Sequence, residues 1–311
     1  MRSLIRRRIT RTLVAVAPAP VKRWLKAQVA ESRRGADEDT LVRQYLEGGC
    51  IPWSTGYGEY RMLYVARALE DRRLLHLFRH GGALPEGHGL RLDERAVEYP
   101  WTLSRADSWG PVVLDAGSTL NHPTLLATPF LANRHVIVYN LEHDWVGKRA
   151  RLSYLTGDLR DMILKDAVVD TIVCISTLEH IGLDNTFLYT TDSSLREKRP
   201  TDYRRALAEF WRVLRPGGRL LVTVPYGRPG VLRWLQQFDR AGVEDIAATF
   251  GGRALDVSYF KYEPAGWTRA SAEACAACEY FDVHARLDFD ADFAAAARAV
   301  ACLELEKPAE T

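Results

Sequence analysis

Short apolar runs that alternate with helix-length stretches are the feature that most constrains the fold of this chain. From residue 111 onward six such runs follow one another: VVLDAG, HVIVYN, VDTIVCIS, GRLLVTVP, ALDVSYF and AVACLELEK. Because their side chains are apolar on both faces, they predict strands of a parallel sheet covered by crossover helices. With one more strand before LTGDLRDM, we predict an α/β fold with a mostly parallel seven-stranded sheet and helices on both faces.

The sequence upstream of these strands has a helical pattern. Helices are predicted over residues 37–47 and 58–79, with Ser54 or Thr55 available to cap the second one, and a further helix over RAVEYPWTLSRAD. The pattern therefore predicts three parts. These are a basic amphipathic segment over 1–35, a helical cap over 36–91 and the sheet-containing domain over 92–311.

Residues 1–30 are strongly basic, with eight Lys or Arg and no acid. Their apolar side chains fall near one helical face, and no apolar run approaches the roughly 20 residues that span a bilayer. We therefore expect a cytoplasmic protein whose basic helix lies peripherally on anionic lipid at the inner membrane surface. A solvated tail and a targeting sequence are the alternatives. Since the whole chain carries +2, the remainder carries about −6, which argues against nucleic-acid binding.

Polar residues follow the predicted strands directly. The carboxyl ends of parallel strands meet at one edge of an open sheet, where ligands bind. The polar and glycine positions at these ends are Asp115, Gly117, Ser118, Asn140, Glu142, Asp144, Gly157, Asp158 and Asp161. A single glycine after the first strand is fewer than a phosphate-binding turn carries. The sequence thus predicts a ligand site at this edge.

Two motifs carry a resemblance to a known family. The segment STLEHIG is followed by EFWRVLRPGGRLLVTVPYG, in which Pro216, Gly217 and Gly218 form a tight turn between helix and strand. With the upstream DERAVEYPW, the chain resembles bacterial class I S-adenosylmethionine-dependent methyltransferases of type 11 over about residues 92–226. The resemblance implies a Rossmann-like sheet, S-adenosylmethionine as cofactor and methyl transfer as the reaction.

The resemblance also implies contacts with the methionine and ribose parts of the cofactor. Gly117 allows close backbone approach, since it has no side chain. Ser118 contacts the amino acid end, while Asp115 either orients the turn or binds the cofactor's ammonium group. The ribose hydroxyls fall to Asn140 or to Glu142, because Asn140 accepts only through its amide oxygen.

Further contacts are expected after the third and fourth strands. Asp158 resembles the residue that accepts the adenine amino hydrogen, with the Leu159 backbone alongside, and Ser176 lines the methionine end. Two alternatives remain open from the residues themselves. Asp158 could instead cap a helix that begins near Arg160, and Gly117 could be an ordinary strand-ending turn.

If the acceptor is a hydroxyl, a base must remove its proton, and histidine suits this task. His180 follows the fourth predicted strand, whose end is expected to lie beside the methyl group. Asp184 and Tyr226 are alternatives, and His180 could instead only pack beneath its loop. The long polar stretch LDNTFLYTTDSSLREKRPTDY is expected to be a lid over the acceptor. No metal site is expected, because Cys275 and Cys278 form a CxxC without a second pair.

Three functions compete for this chain. The first is a methyltransferase acting on a small-molecule, glycan or lipid-linked acceptor, by O-methylation. The second is a non-catalytic protein of the same fold that acts through protein contacts. The third is a nicotinamide-dependent oxidoreductase, which lacks support because no GxGxxG turn is present.

Overall fold

The computed structural model describes residues 37–190, 192–282 and 289–309. The predicted basic segment 1–35 lies outside these residues. Within them, no helix is long and apolar enough to cross a membrane.

An eight-stranded sheet forms the centre of the molecule, in the order β3-β2-β1-β4-β5-β10-β8-β9. The first five strands are parallel, and β10 runs antiparallel between β5 and β8. The strands are β1 (Val112–Ala116), β2 (His135–Asn140), β3 (Leu152–Thr156), β4 (Val169–Ile175), β5 (Leu214–Pro225), β8 (Arg253–Glu263), β9 (Gly266–Ala270) and β10 (Ala299–Glu306). A separate hairpin pairs β6 (Gly230–Leu232) with β7 (Leu235–Gln237).

Helices precede the sheet and connect its strands. They are α1 (Glu38–Glu47), α2 (Tyr57–Glu70), α3 (Arg72–His80), α4 (Arg95–Leu103), α5 (Pro123–Leu126), α6 (Pro129–Ala132), α7 (Thr186–Tyr189), α8 (Tyr203–Val213), α9 (Arg240–Phe250) and α10 (Ala272–Cys275). One-turn 3-10 helices cover Ala106–Ser108, Leu178–His180 and Ser193–Leu195.

The strand side chains alternate between two cores, which is why the strands are apolar on both faces. Val113 and Val173 face the core that contains residues of α1–α4. Their neighbours Leu114 and Cys174 face the other core, which contains residues of α8 and α9. The prediction of a mostly parallel Rossmann-like sheet with helices on both faces is confirmed, and the helices upstream of the sheet share one of its two cores.

The predicted number of strands was one too low. β8 turns back into β9, whose Trp267 is buried and donates from Nε1 to the Leu92 carbonyl at 2.9 Å. The turn EPAG, with Gly266 at φ +106°, is the signal that could have revealed this hairpin. β9 therefore joins the sheet to the chain that leads into α4.

The predicted helix over 58–79 is two helices. Asp71 ends α2 and caps α3, because its Oδ1 accepts from the backbone N–H groups of Arg73 and Leu74. The predicted cap of α2 at Ser54 or Thr55 is also wrong. Gly56 occupies that position at φ +85°, and a Cβ there would lie 1.9 Å from the Leu41 carbonyl oxygen. The close approach of α1 thus requires glycine.

The PGG turn lies inside β5 rather than before it. Val169 pairs with Leu214 and Thr171 with Arg219, so four residues of β5 bulge out between these pairs. Gly217, at φ +78°, donates to the Lys307 carbonyl at 2.8 Å. The bulge connects the end of α8 to the buried part of β5, and it lies at the amino end of that strand.

Candidate functional site

A cavity of about 370 Å³ opens at the carboxyl ends of β1–β4. This edge is where the strand order reverses, since β2 and β3 lie on one side of β1 while β4 and β5 lie on the other. Its lining residues come mainly from the loops after these strands, together with Arg95 from α4 and Glu197. Seven of the nine predicted site residues line it: Gly117, Asn140, Glu142, Asp158, Leu159, Ser176 and His180.

Gly117 ends β1 in a left-handed conformation, with φ +103°. Its N–H donates to the Tyr139 carbonyl at 2.9 Å, and a Cβ there would lie 2.2 Å from Thr177 Oγ1. Glycine therefore lets the loops after β1 and β4 touch beside the cavity. Gly117 also lines the cavity, and its role in the approach of a cofactor to the backbone stays a prediction.

Asp115 lies beneath the turn and does not line the cavity. It is fully buried, and its carboxylate accepts from the backbone N–H of Thr119 at 3.0 Å and of Leu120 at 2.9 Å. Burial raises the pKa of this carboxyl to about 7, against the lowering effect of those bonds. The predicted direct contact with the cofactor is thus corrected, and Asp115 orients the turn.

Ser118 also faces away from the cavity. Its Oγ donates to Asp144 Oδ2 at 2.8 Å and accepts from the amide of Asn121 at 3.1 Å. These bonds join the loop after β1 to the loop after β2. The side chain of Ser118 thus holds these loops together, while the predicted contact of Ser118 and the nearby backbone with the amino acid end of the cofactor stays a prediction.

Asn140 and Glu142 both line the cavity at the end of β2. Asn140 Oδ1 accepts from the backbone N–H of Leu141 at 2.9 Å, so this oxygen is already engaged. Glu142 has an exposed side chain. Both residues therefore stay candidates for the ribose hydroxyls, with the amide of Asn140 acting as a donor.

The side chain of Asp158 bonds to Arg160 and does not cap a helix. Its Oδ1 accepts from the Arg160 backbone N–H at 2.8 Å, and the guanidinium donates to both carboxylate oxygens. Burial raises the pKa of Asp158, but the bonds from Arg160 outweigh it and keep the pKa below its usual range. No helix follows, since residues 158–162 form turns, so the capping alternative is wrong. The carboxylate is ionised and can still accept a hydrogen bond.

Arg160 also joins this loop to the segment predicted as a lid. Its Nη1 donates to Glu197 at 2.9 Å and to Asp202 at 2.7 Å. Because Glu197 lines the cavity, this ion-pair cluster closes the cavity at the end where Asp158 lies. Arg160 could have been predicted as a site residue, because an arginine two residues from a carboxylate can pair with it. Nothing in the sequence near Glu197 indicated that it lines the cavity.

A buried hydrogen-bond network supports Ser176 at the end of β4. Ser176 has φ +39°, and its Oγ donates to Glu98 Oε1 at 2.7 Å. Thr223 of β5 donates to the same oxygen at 2.6 Å, and Arg95 forms an ion pair with the other carboxylate oxygen. Glu98 is fully buried. The network fixes α4 against the ends of β4 and β5 and places Arg95 in the cavity wall.

His180 lies where two cavities meet. It lines the first cavity and a second one of about 170 Å³, which also share Arg95 and Ser176. Its Nδ1 lies 2.9 Å from the Trp234 carbonyl, which only accepts, so Nδ1 carries the proton and Nε2 is the basic nitrogen. Nε2 is 3.8 Å from Glu179 Oε1.

The two alternative bases lie outside both cavities. Asp184 accepts from Arg233 at 2.9 Å and from the Thr186 hydroxyl, and Tyr226 is buried against Tyr259. Neither residue lines the first or the second cavity. Of the three predicted bases, only His180 is positioned to meet an acceptor.

The charges of the first cavity suit a cationic ligand better than a phosphate. Glu142, Asp158 and Glu197 contribute three carboxylates, of which Asp158 and Glu197 share the single guanidinium of Arg160. Both guanidinium groups in its wall are already paired, Arg95 with Glu98 and Arg160 with Asp158. The loop after β1 also leads to the four-residue α5, which offers no long helix N-terminus to an anion. A sulfonium cofactor without phosphates fits these residues.

Comparison with known proteins agrees with this site. Residues 114–222 match the family described as methyltransferase domain. This part of the chain is therefore similar to class I methyltransferase domains, whose cofactor is S-adenosylmethionine. No curated protein matches the sequence.

Many solved structures are similar to this chain at low identity. One is the Burkholderia thailandensis 1,6-didemethyltoxoflavin-N1-methyltransferase with bound 1,6-didemethyltoxoflavin and S-adenosylhomocysteine. It is 14% identical over 87% of this chain and 87% of that one, with a TM-score of 0.41. Another is the [4+2]-cyclase SpnF, 16% identical over 81% and 96%, with a TM-score of 0.45. A third is an S-adenosylmethionine-dependent methyltransferase from Mesorhizobium loti, 12% identical over 66% and 96%, with a TM-score of 0.39.

Proposed function

We propose that this protein transfers a methyl group from S-adenosylmethionine to a hydroxyl of a small-molecule, glycan or lipid-linked acceptor. The observation that carries the proposal is the acidic cavity at the carboxyl ends of β1–β4, beside the glycine turn at Gly117. The same charges disfavour a nicotinamide dinucleotide, because its pyrophosphate would meet Glu142, Asp158 and Glu197 without an unpaired cation in the described lining.

In this proposal the cofactor is held by the predicted site residues that line the cavity, in the roles that the family resemblance implies. Gly117 allows its methionine portion to approach the backbone, and Ser176 lines the same end. Asn140 or Glu142 binds the ribose, and Asp158 with the Leu159 backbone takes the adenine. When bound, S-adenosylmethionine supplies a methyl group on a cationic sulfur.

His180 acts on the acceptor in this proposal. Its Nε2 would take the proton of the acceptor hydroxyl, whose oxygen would receive the methyl group that S-adenosylmethionine supplies. The bond from Nδ1 to the Trp234 carbonyl keeps the ring in the tautomer that this step requires. The 3-10 helix Leu178–His180 and the segment that contains Glu197 exclude water from the cavity.

Calorimetric titration with S-adenosylmethionine, S-adenosylhomocysteine and NAD tests the cofactor assignment. We expect the two sulfur compounds to bind and NAD not to bind. Gly117→Leu abolishes binding, while Gly81→Leu is the matched control, because Gly81 also has positive φ but lies outside the cavity. Circular dichroism of both variants checks the fold. Binding of NAD alone, or unchanged affinity in Gly117→Leu, contradicts the proposal.

A non-catalytic role remains the second candidate, on one observation. The Asn140 oxygen is engaged by the Leu141 N–H, which leaves the ribose position without a committed carboxylate unless Glu142 supplies it. A protein that binds S-adenosylhomocysteine yet transfers no labelled methyl group to extracts of small molecules, glycans or lipids supports this second function.

A further inference from the structure

The second cavity adjoins the cofactor cavity at Arg95, Ser176 and His180, which line both. The residues proposed for the ribose and the adenine do not line the second cavity. An acceptor that delivers its hydroxyl to His180 therefore has the second cavity as the space for the rest of its structure. What this cavity binds follows from its walls.

Two carboxyl groups in these walls lack a Lys or Arg partner within the described parts of the chain. Glu179 is 3% exposed, and its Oε2 has no hydrogen-bond partner among the described residues. Glu94 is also buried and accepts from the Ala297 backbone N–H at 3.3 Å. The guanidinium groups nearby are already paired, Arg61 with Asp93 and Arg95 with Glu98.

Burial raises the pKa of both free carboxyl groups, that of Glu94 to about 8 with a further contribution from Asp93. Buried acids normally have hydrogen bonds and a cationic partner, whereas Oε2 of Glu179 lacks a hydrogen bond and both carboxyl groups lack a Lys or Arg partner among the described residues. Three aromatic side chains, Trp53, Trp234 and Tyr280, complete the walls. Aromatic faces attract cations, as carboxylates do.

Building on the proposed function, we propose that the second cavity is the acceptor subsite and that it recognises a protonated amine on the acceptor through Glu179 and Glu94. The amine donates to the unpartnered oxygen of Glu179 and lies against the aromatic walls. The hydroxyl to be methylated then points toward His180. The acceptor class is thus a compound that carries both a hydroxyl and an amine.

The test compares three phenols that differ in one group: tyramine is cationic, 4-ethylphenol neutral and 4-hydroxyphenylacetate anionic. Each is titrated by ligand-observed NMR into protein saturated with S-adenosylhomocysteine. We expect tyramine to bind about tenfold more tightly than 4-ethylphenol, the size of one charge-assisted hydrogen bond, and the anion most weakly. Equal binding of the three, preference for the anion, or no binding of any overturns the inference.

Glu179→Gln keeps the shape but removes the carboxyl group that can ionise against a bound amine, so it should abolish the preference for tyramine, and Glu94→Gln should reduce it. Glu244→Gln, an exposed carboxylate on α9, is the matched control and should leave the preference unchanged. A preference that survives in both cavity variants overturns the inference. Affinity of the wild-type protein for S-adenosylhomocysteine is measured separately. If the wild type does not bind this compound, the proposed function itself fails. If it binds the compound but shows no preference for tyramine, only the amine subsite fails.

Discussion

Replacing Glu98 by Gln tests whether the buried network of α4 holds the site together. In the wild type, Glu98 Oε1 accepts from Ser176 at 2.7 Å and from Thr223 at 2.6 Å, while Arg95 pairs with the other oxygen. Gln keeps an acceptor for the two hydroxyl groups. Its amide N–H groups, however, face the guanidinium of Arg95, so a mostly buried positive charge loses its counterion.

Removing one partner of a buried ion pair costs about 3–5 kcal/mol of stability, and we expect Glu98→Gln to fall in this range. The assay is urea unfolding followed by circular dichroism, with Glu244→Gln as the control at an exposed carboxylate. The control should change the free energy of unfolding by less than about 0.5 kcal/mol.

The double variant Arg95→Met with Glu98→Gln tests whether the unpaired charge of Arg95 causes the loss of stability. Because the double variant has no guanidinium at position 95, it should lose less stability than the two single variants together, with a coupling free energy of about 1–3 kcal/mol. Additive effects, or a Glu98→Gln variant within about 1 kcal/mol of the wild type, would refute the reasoning. Affinity for S-adenosylhomocysteine should also fall in Glu98→Gln, since Ser176 loses its charged partner.

Three further predictions concern the pocket, the pH dependence of stability and the basic segment. Asp158→Ala should weaken binding of S-adenosylhomocysteine by about 1–3 kcal/mol in calorimetry. Asn140→Ala and Glu142→Ala should weaken it by unequal amounts. Negligible effects of all three variants would mean that the cofactor binds elsewhere. Burial lowers the pKa of His88 in the folded protein. As the pH falls below about 6.5, the histidine is therefore protonated more readily in the unfolded chain than in the folded one, and the free energy of unfolding should decrease. His88→Gln should make the free energy of unfolding flatter between pH 7.5 and 5.5, and an unchanged slope contradicts this assignment. Vesicle co-sedimentation should show salt-sensitive binding of the full chain to anionic lipid and none without residues 1–30, whereas indifference of the full chain at low salt refutes membrane contact.

The strands could be predicted from the sequence because their signal is local. Val113 and Leu114 are neighbours that face two different cores, so both must be apolar, and the same holds for Val173 and Cys174. β9 was missed because Trp267 packs against residues far upstream, and only the preceding Pro and Gly marked its turn.

The site was predictable where each residue directly follows a strand, since topology brings these positions to one edge. The directions of the side chains were not predictable. Asp115 lies near the end of β1 and Ser118 in the turn after it, yet their side chains bond to neighbouring loop residues and do not line the cavity. The pairing of Ser176 with Glu98 joins positions 78 residues apart, so no local pattern could reveal it.

Hydrogen exchange with bound S-adenosylhomocysteine tests the central claim most directly, because it maps where the cofactor binds. The account predicts slower exchange in the loops 117–120, 140–142, 157–160 and 176–183, with no change in α9. Binding that leaves these four loops unchanged, or that protects another surface instead, would contradict the assignment of this cavity to the cofactor.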